Sequence, residues 1–234
     1  MRTSHGILIT LVLATMTMSC KKDKTAPVDL GLAYFPIDTG RWVEYQVDSV
    51  WYDEAFGLSG SLSYLLREEI FEEFSDPAGR PAQRIRRRVW VDSLNSWRTR
   101  DIWWQTRDNF AAEKTEENLR RLKLTFPMST GKFWNANIYN TQQEAMDLTY
   151  DQVHVPWSSG SLGFDSTTTV RGTYFNNLVD TLIFQERYAK HVGLVYKFWH
   201  DSKTDYHYPP PPDPPVITTR GWRITMQVVA YGGH

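Results

Sequence analysis

Gly40-Arg41-Trp42-Val43-Glu44-Tyr45-Gln46-Val47-Asp48-Ser49-Val50-Trp51 decides the fold class. Val43, Tyr45, Val47 and Trp51 alternate with Glu44, Gln46 and Asp48. A period of two places the first set on one face of a strand and the second on the other, so one face is buried and one is wet. The pattern recurs along the chain. Residues 61–74 put Leu62, Tyr64, Leu66 and Ile70 on one face, and Ser75-Asp76-Pro77-Ala78-Gly79-Arg80-Pro81 then turns the chain. The return runs through Ile85, Val89 and Val91, turns at Leu94-Asn95-Ser96 and continues over 97–107.

Residues 110–114 and 119–126 form a further pair around Glu116-Glu117-Asn118. The Glu, Lys, Arg and Leu content of 113–124 also permits a short helix. The alternation of Leu122, Leu124 and Phe126, closed by Pro127 and Gly131, favours strands. Segments 147–155, 164–174, 178–188, 194–200 and 217–231 complete the series. The expectation is an all-β chain with at most one short helix: a single antiparallel curved sheet, or partly closed half-barrel, of about ten strands. Between the last two strands, 203–215 reads as a loop, because Pro209-Pro210-Pro211-Pro212-Asp213-Pro214-Pro215 must be extended.

The amino terminus reads differently. Arg2 precedes the apolar run 6–14, which is too short to span a bilayer, since a spanning helix needs about 20 residues. It fits a signal peptide over 1–19. Thr17-Met18-Ser19-Cys20 resembles a bacterial lipobox, with Ser19 as the small residue before cysteine and Thr17 in place of the usual leucine. That resemblance implies acylation of Cys20, palmitate-like chains included, and cleavage before it. Cys20 is the only cysteine, which excludes an internal disulfide and any multi-cysteine metal site. Lys21-Lys22-Asp23-Lys24-Thr25-Ala26-Pro27 is charged and apolar-poor, as a tether would be. The domain plan is therefore a signal at 1–19, lipidated cysteine and tether at 20–33, and one β domain at 34–234.

Three further stretches resemble uncharacterised envelope lipoproteins of Bacteroidetes-type bacteria: Phe35-Pro36-Ile37-Asp38-Thr39-Gly40-Arg41-Trp42-Val43-Glu44-Tyr45, then Leu124-Thr125-Phe126-Pro127 with Gly131-Lys132-Phe133-Trp134-Asn135, and Glu186-Arg187-Tyr188-Ala189-Lys190-His191-Val192-Gly193-Leu194-Val195-Tyr196-Lys197. Similar signatures occur in periplasmic domains that look like the LolA/LolB half-barrel. These motifs are turns and core aromatics, so the resemblance implies a fold and an envelope location, in the outer membrane facing periplasm or surface, and assigns no chemistry.

Chemistry is hard to find in the sequence. The net charge of −1 points to no nucleic-acid partner. There is no His-Glu-x-x-His pair; the nearest cluster, His200-Asp201 with Asp205-Tyr206-His207, reads as a solvated loop. No nucleophile elbow and no phosphate loop occur, so the expectation is a non-enzyme with no metal and no cofactor. Glu68, Glu69, Glu72 and Glu73, and Glu113, Glu116 and Glu117, read as wet faces, with Glu68 and Glu69 pointing apart. Arg84, Arg86 and Arg88 share a face with Trp90: such a face binds anionic groups, lipid or glycan head groups among them, or is neutralised by acids of the preceding strand such as Glu69 and Glu73.

Ten tryptophans stand out. They fill a core or line a cavity, and Trp103, Trp104 and Trp134 are the candidate lining residues. The function expected is a membrane-anchored envelope lipoprotein whose curved sheet binds a lipid or other hydrophobic ligand. The alternatives are a packed interaction module and a glycan binder.

Overall fold

The alternation at 42–51 becomes β1, Trp42–Asp53, and its burial follows the sequence: Tyr45 and Val47 are buried, and Asp48 is exposed. β1 pairs with β2, Leu58–Ser75, and with the last strand, β13, Val216–Gly232, so the two ends of the chain meet at the centre of the sheet. The computed structural model describes residues 28–233. The expected signal peptide at 1–19, Cys20 and the charged tether to Pro27 lie outside them.

The other strands are β3 Pro81–Val91, β4 Ser96–Arg107, β5 Ala111–Glu116, β6 Leu119–Thr125, β7 Phe133–Asn135, β8 Asp147–Ser159, β9 Leu162–Gly172, β10 Phe175–Asn176, β11 Asp180–Ala189 and β12 Gly193–His207. Among the described residues all 13 strands form one sheet, ordered β6-β5-β4-β3-β2-β1-β13-β12-β11-β9-β8-β7, with β10 beside β11. Every pairing is antiparallel. The fold is all-β, as the alternation requires. The helix permitted at 113–124 is instead the β5–β6 hairpin, turned by Glu117 and Asn118, both with positive φ (49° and 65°). Two consecutive left-handed residues match the twist of a hairpin.

The sheet curls until its edges meet, forming a nearly closed barrel. The Leu122 amide donates to the Ala136 carbonyl at 2.9 Å, and the Trp134 indole N–H donates to the Leu122 carbonyl at 3.0 Å. The Tyr150 hydroxyl accepts from the Thr125 amide (3.0 Å) and donates to the Thr125 carbonyl (2.9 Å). Closure covers strand edges that would otherwise expose a row of unpaired backbone groups.

Two boundaries move. Within 28–33, expected as tether, the chain is held to the barrel from Asp29 on: Asp29 accepts from Lys190 Nζ at 2.6 Å, and Leu30 and Leu32 pack against the core. Arg107 Nη1 donates to the carbonyls of Leu32 and Phe35, both at 2.8 Å, and the His191 amide donates to the Ala33 carbonyl at 2.8 Å. This segment thus crosses from the end of β4 to the β11–β12 turn and lies over one end of the barrel. At the other boundary, 203–207 belong to β12, paired with β13 from Lys203↔Arg220 to His207↔Val216, so the proline-rich loop is only 208–215. Polar residues disguised that strand.

Candidate functional site

Inside the barrel the inward positions of β2 and β3 carry charge. Glu68 lies between Leu66 and Ile70 on one face of β2, and Arg87 follows Ile85 on β3. Arg87 Nε donates to Glu68 Oε1 at 2.9 Å, and Lys114 Nζ from β5 donates to Glu68 Oε2 at 2.6 Å. On the opposite wall Glu186 of β11 has no exposed surface. Its Oε1 accepts from Lys123 Nζ of β6 at 2.7 Å, and its Oε2 accepts from the Tyr188 hydroxyl at 2.5 Å. Glu116 joins the two groups, 3.5 Å from Lys123, and Lys197 of β12 stands 3.5 Å from Glu186. Charges from six strands therefore form a layer across the barrel interior. The remaining sector, on β13 and β1, is apolar, with Ile224, Met226 and Tyr45.

These groups line an open-mouthed cavity of about 180 Å³. Five cations line it against three carboxylates. The carboxylates offsetting two of those cations stand nearer the surface: Asp101 takes Arg87 at 2.8 Å, and Asp38, 69% exposed, takes Arg41 at 2.8 Å.

The ionisation of each group follows its neighbours. Burial alone raises a carboxyl, but the Lys114 and Arg87 charges outweigh it and hold Glu68 below the usual range. Lys123, Lys197 and Lys114 do the same for Glu116, and Lys123 and Lys197 for Glu186. Burial pulls lysines down. For Lys123 the adjacent Glu116 and Glu186 win and its affinity for protons rises. For Lys197 burial wins and the ammonium is held below its ordinary value. The hydroxyls of Tyr45 and Tyr188 are pushed well up, first by burial and then by the neighbouring glutamate, Glu68 or Glu186.

The three tryptophans singled out in the sequence separate. Trp103 is on the cavity wall, its ring 3.5 Å from the Arg87 guanidinium carbon. Trp104, the next residue, points to the other face and meets Phe74 edge-on at 6.1 Å. Trp134 is core, 6% exposed and packed on Tyr150 at 4.7 Å. Of the ten tryptophans only Trp51 is strongly exposed, at 44%.

The basic run divides as its alternation requires. Arg84 pairs with Glu72 at 3.0 Å, Arg88 with Glu69, and Arg86 covers the Phe71 ring, all on the outer face. Arg87, between them, points in. The wet-face reading of the glutamates fails for Glu68, Glu113 and Glu116. Glu68 and Glu116 are in the cavity wall, and Glu113, 3% exposed, is clamped by Arg80 and Arg120. Glu68 and Glu116 are drawn inside by cations on neighbouring strands, and Glu113, on the opposite face of β5 from Lys114, is covered by its two arginines. Among the described residues no three His, Cys, Asp or Glu side chains converge as a metal site would need, and His200 meets Tyr52 at 3.2 Å.

No protein-family model matches the chain, and no curated protein matches it. Two solved structures are similar to it. One is a candidate lipoprotein from Parabacteroides distasonis, 12% identical, with a TM-score of 0.37, over 84% of this chain and 98% of that one. The other is a candidate exported protein with a YmcC-like fold from Bacteroides fragilis, 8% identical, with a TM-score of 0.34, again over 84% and 98%. At these values neither likeness informs function.

Proposed function

We propose that this chain is an envelope lipoprotein, held at the outer membrane through acylated Cys20, whose barrel is a non-catalytic binding module for a small amphiphilic molecule. The cavity carries this reading: its wall is apolar on β1 and β13 and carries charged groups from β2, β3, β5, β6, β11 and β12. Concave sites with an apolar wall and a few placed polar groups are what small ligands require. The outer wall supports a barrel standing in water, since Glu44, Asp48, Arg84 and Arg88 project from it. Two or more acyl chains on Cys20 would then supply the membrane attachment.

Size narrows the ligand. An engineered cavity of about 150 Å³ holds one benzene, and drug-sized ligands take about 300 Å³ or more. A cavity of about 180 Å³ suits a molecule of that smaller class. A LolA/LolB-like carrier of whole lipids would need more room, so only a short amphiphile or part of a longer one fits.

The second reading, a barrel packed for rigidity with protein partners at its loops, is favoured by one observation. Each cavity carboxylate already has cationic neighbours, so the cluster is internally satisfied. Glycan binding through exposed tryptophans would need several of them, whereas Trp51 alone among the tryptophans is strongly exposed. The deciding measurement is native mass spectrometry, with solvent extraction, on the chain from residue 20 with Cys20→Ala, purified without detergent. A stoichiometric bound mass supports the binding module. A clean apo mass, with no uptake or thermal shift from a panel of short amphiphiles, leaves the packed module.

A further inference from the structure

Lys197 differs from the other buried cations. Lys114 and Lys123 each donate to a glutamate at 2.6–2.7 Å. The one ion pair of Lys197 among the described residues is with Glu186 Oε1 at 3.5 Å, beyond the usual range for an N–H···O bond. That oxygen already accepts from Lys123, and the other oxygen of Glu186 accepts from Tyr188. Glu116 acts on the Lys197 ammonium by charge, and ring faces lie near it, Trp199 at 5.4 Å and Phe184 at 5.9 Å. The side chain is 14% exposed and lines the cavity beside Met226, its strand partner. Its ammonium thus faces the cavity with no short acceptor from the protein.

We propose that the ligand of this cavity is a small organic monocarboxylate, its carboxylate seated on Lys197 and its hydrocarbon part lying against Tyr45, Ile224 and Met226. This rests on the binding-module reading above and adds the ligand's charge and orientation. An anion supplies the short acceptor that Lys197 lacks. A cationic head group would be repelled by the ammonium, and a neutral one would be a weaker acceptor. The burial that holds the free lysine below its ordinary value makes the same demand, because a bound anion restores the stability of the charged form.

The test compares head groups on one hydrocarbon. Hexanoate, hexanol and hexylamine, and benzoate, benzyl alcohol and benzylamine, are titrated by calorimetry into the soluble Cys20→Ala chain. Hexanoate or benzoate should bind at least about tenfold more tightly than its alcohol and amine. Lys197→Met keeps the side-chain length and removes the charge. It should cost the carboxylate at least about tenfold and leave alcohol binding unchanged, while Lys203→Met on the outer reach of β12 changes neither. Alcohol or amine binding as tightly as the carboxylate overturns the carboxylate assignment and leaves the cavity a binding site. Failure of all six compounds, with the protein folded, overturns both. Should Lys197→Met not fold, the head-group comparison on the unsubstituted barrel still decides.

Discussion

Glu186→Gln removes one charge from the centre of the barrel and almost no volume. The wild-type carboxylate has no exposed surface, accepts from Lys123 at 2.7 Å and from Tyr188 at 2.5 Å, and stands 3.5 Å from Lys197. Glutamine keeps an acceptor for Lys123 and withdraws the counter-charge from two buried ammoniums. Removing one partner of a buried pair costs about 3–5 kcal/mol, because the other charge stays desolvated. In a domain of this size each kcal/mol moves Tm by about 2–4 °C, so the variant should melt about 6–20 °C lower. Glu72→Gln is the control: it breaks the Arg84 pair, in which both side chains are nearly half exposed (46% and 45%), and such pairs contribute about 0–1 kcal/mol.

The assay is urea unfolding of the soluble Cys20→Ala chain, followed by tryptophan fluorescence and far-ultraviolet circular dichroism together. The sign of the pH dependence adds a second check. In the variant Lys197, already held below its unfolded value of 10.5, loses a counter-charge, and its penalty is full at neutral pH and fades as pH rises toward 10.5. In the wild type the raised Lys123 contributes stability that is complete below 10.5 and is lost only as pH climbs beyond it. Both effects narrow the gap between the two proteins as pH climbs. A loss no larger than that of Glu72→Gln, or a gap that widens with pH, would refute a desolvated charge layer.

Glu68, Glu116 and Glu186 all bind protons less readily folded than unfolded, so their contribution is complete above about pH 4.5 and is lost as pH falls below it. A Tm that stays level from pH 7 down to pH 3 would contradict this. Tyr150→Phe removes both hydrogen bonds that clasp Thr125 and leaves a buried amide unpaired, a cost of about 1–3 kcal/mol. Unchanged urea stability would show that β6 is held to the far edge by other contacts. Cys20→Ala in the full chain should move the protein from the membrane fraction to the soluble one on cell fractionation, and a variant that still sediments with membranes would sink the lipid-anchor reading.

The fold was readable because strands announce themselves locally. Val43, Tyr45 and Val47 alternate with wet residues, and the same rule put Arg84, Arg86 and Arg88 outside and set Glu68 and Glu69 on opposite faces. It failed where pairing rather than apolarity makes the strand. Lys203 to His207 carry little hydrophobic signal, yet β13 takes them through Thr204↔Thr219 and Tyr206↔Ile217, with the two threonine hydroxyls 3.2 Å apart. It failed again at 28–33, where Leu30 and Leu32 find a core assembled from distant strands.

The charge layer left a trace that could have been followed. On four strands a charged residue stands between two apolar residues of its own face: Leu66-Glu68-Ile70, Ile85-Arg87-Val89, Phe184-Glu186-Tyr188 and Val195-Lys197-Trp199. Taken alone, each looks like one blemish in a buried stripe. Together they are two acids and two bases at equivalent inward positions. A buried charge is tolerated only when paired or liganded, so matched blemishes of opposite sign on different strands predict one another. The sequence cannot supply the distances that show which charges satisfy each other and which is left over. Lys123 reaches Glu186 at 2.7 Å and Lys197 stops at 3.5 Å, and only the closed barrel sets that difference. Lys197 is the cation of the layer left without a short acceptor, and an anion that enters the cavity would supply one.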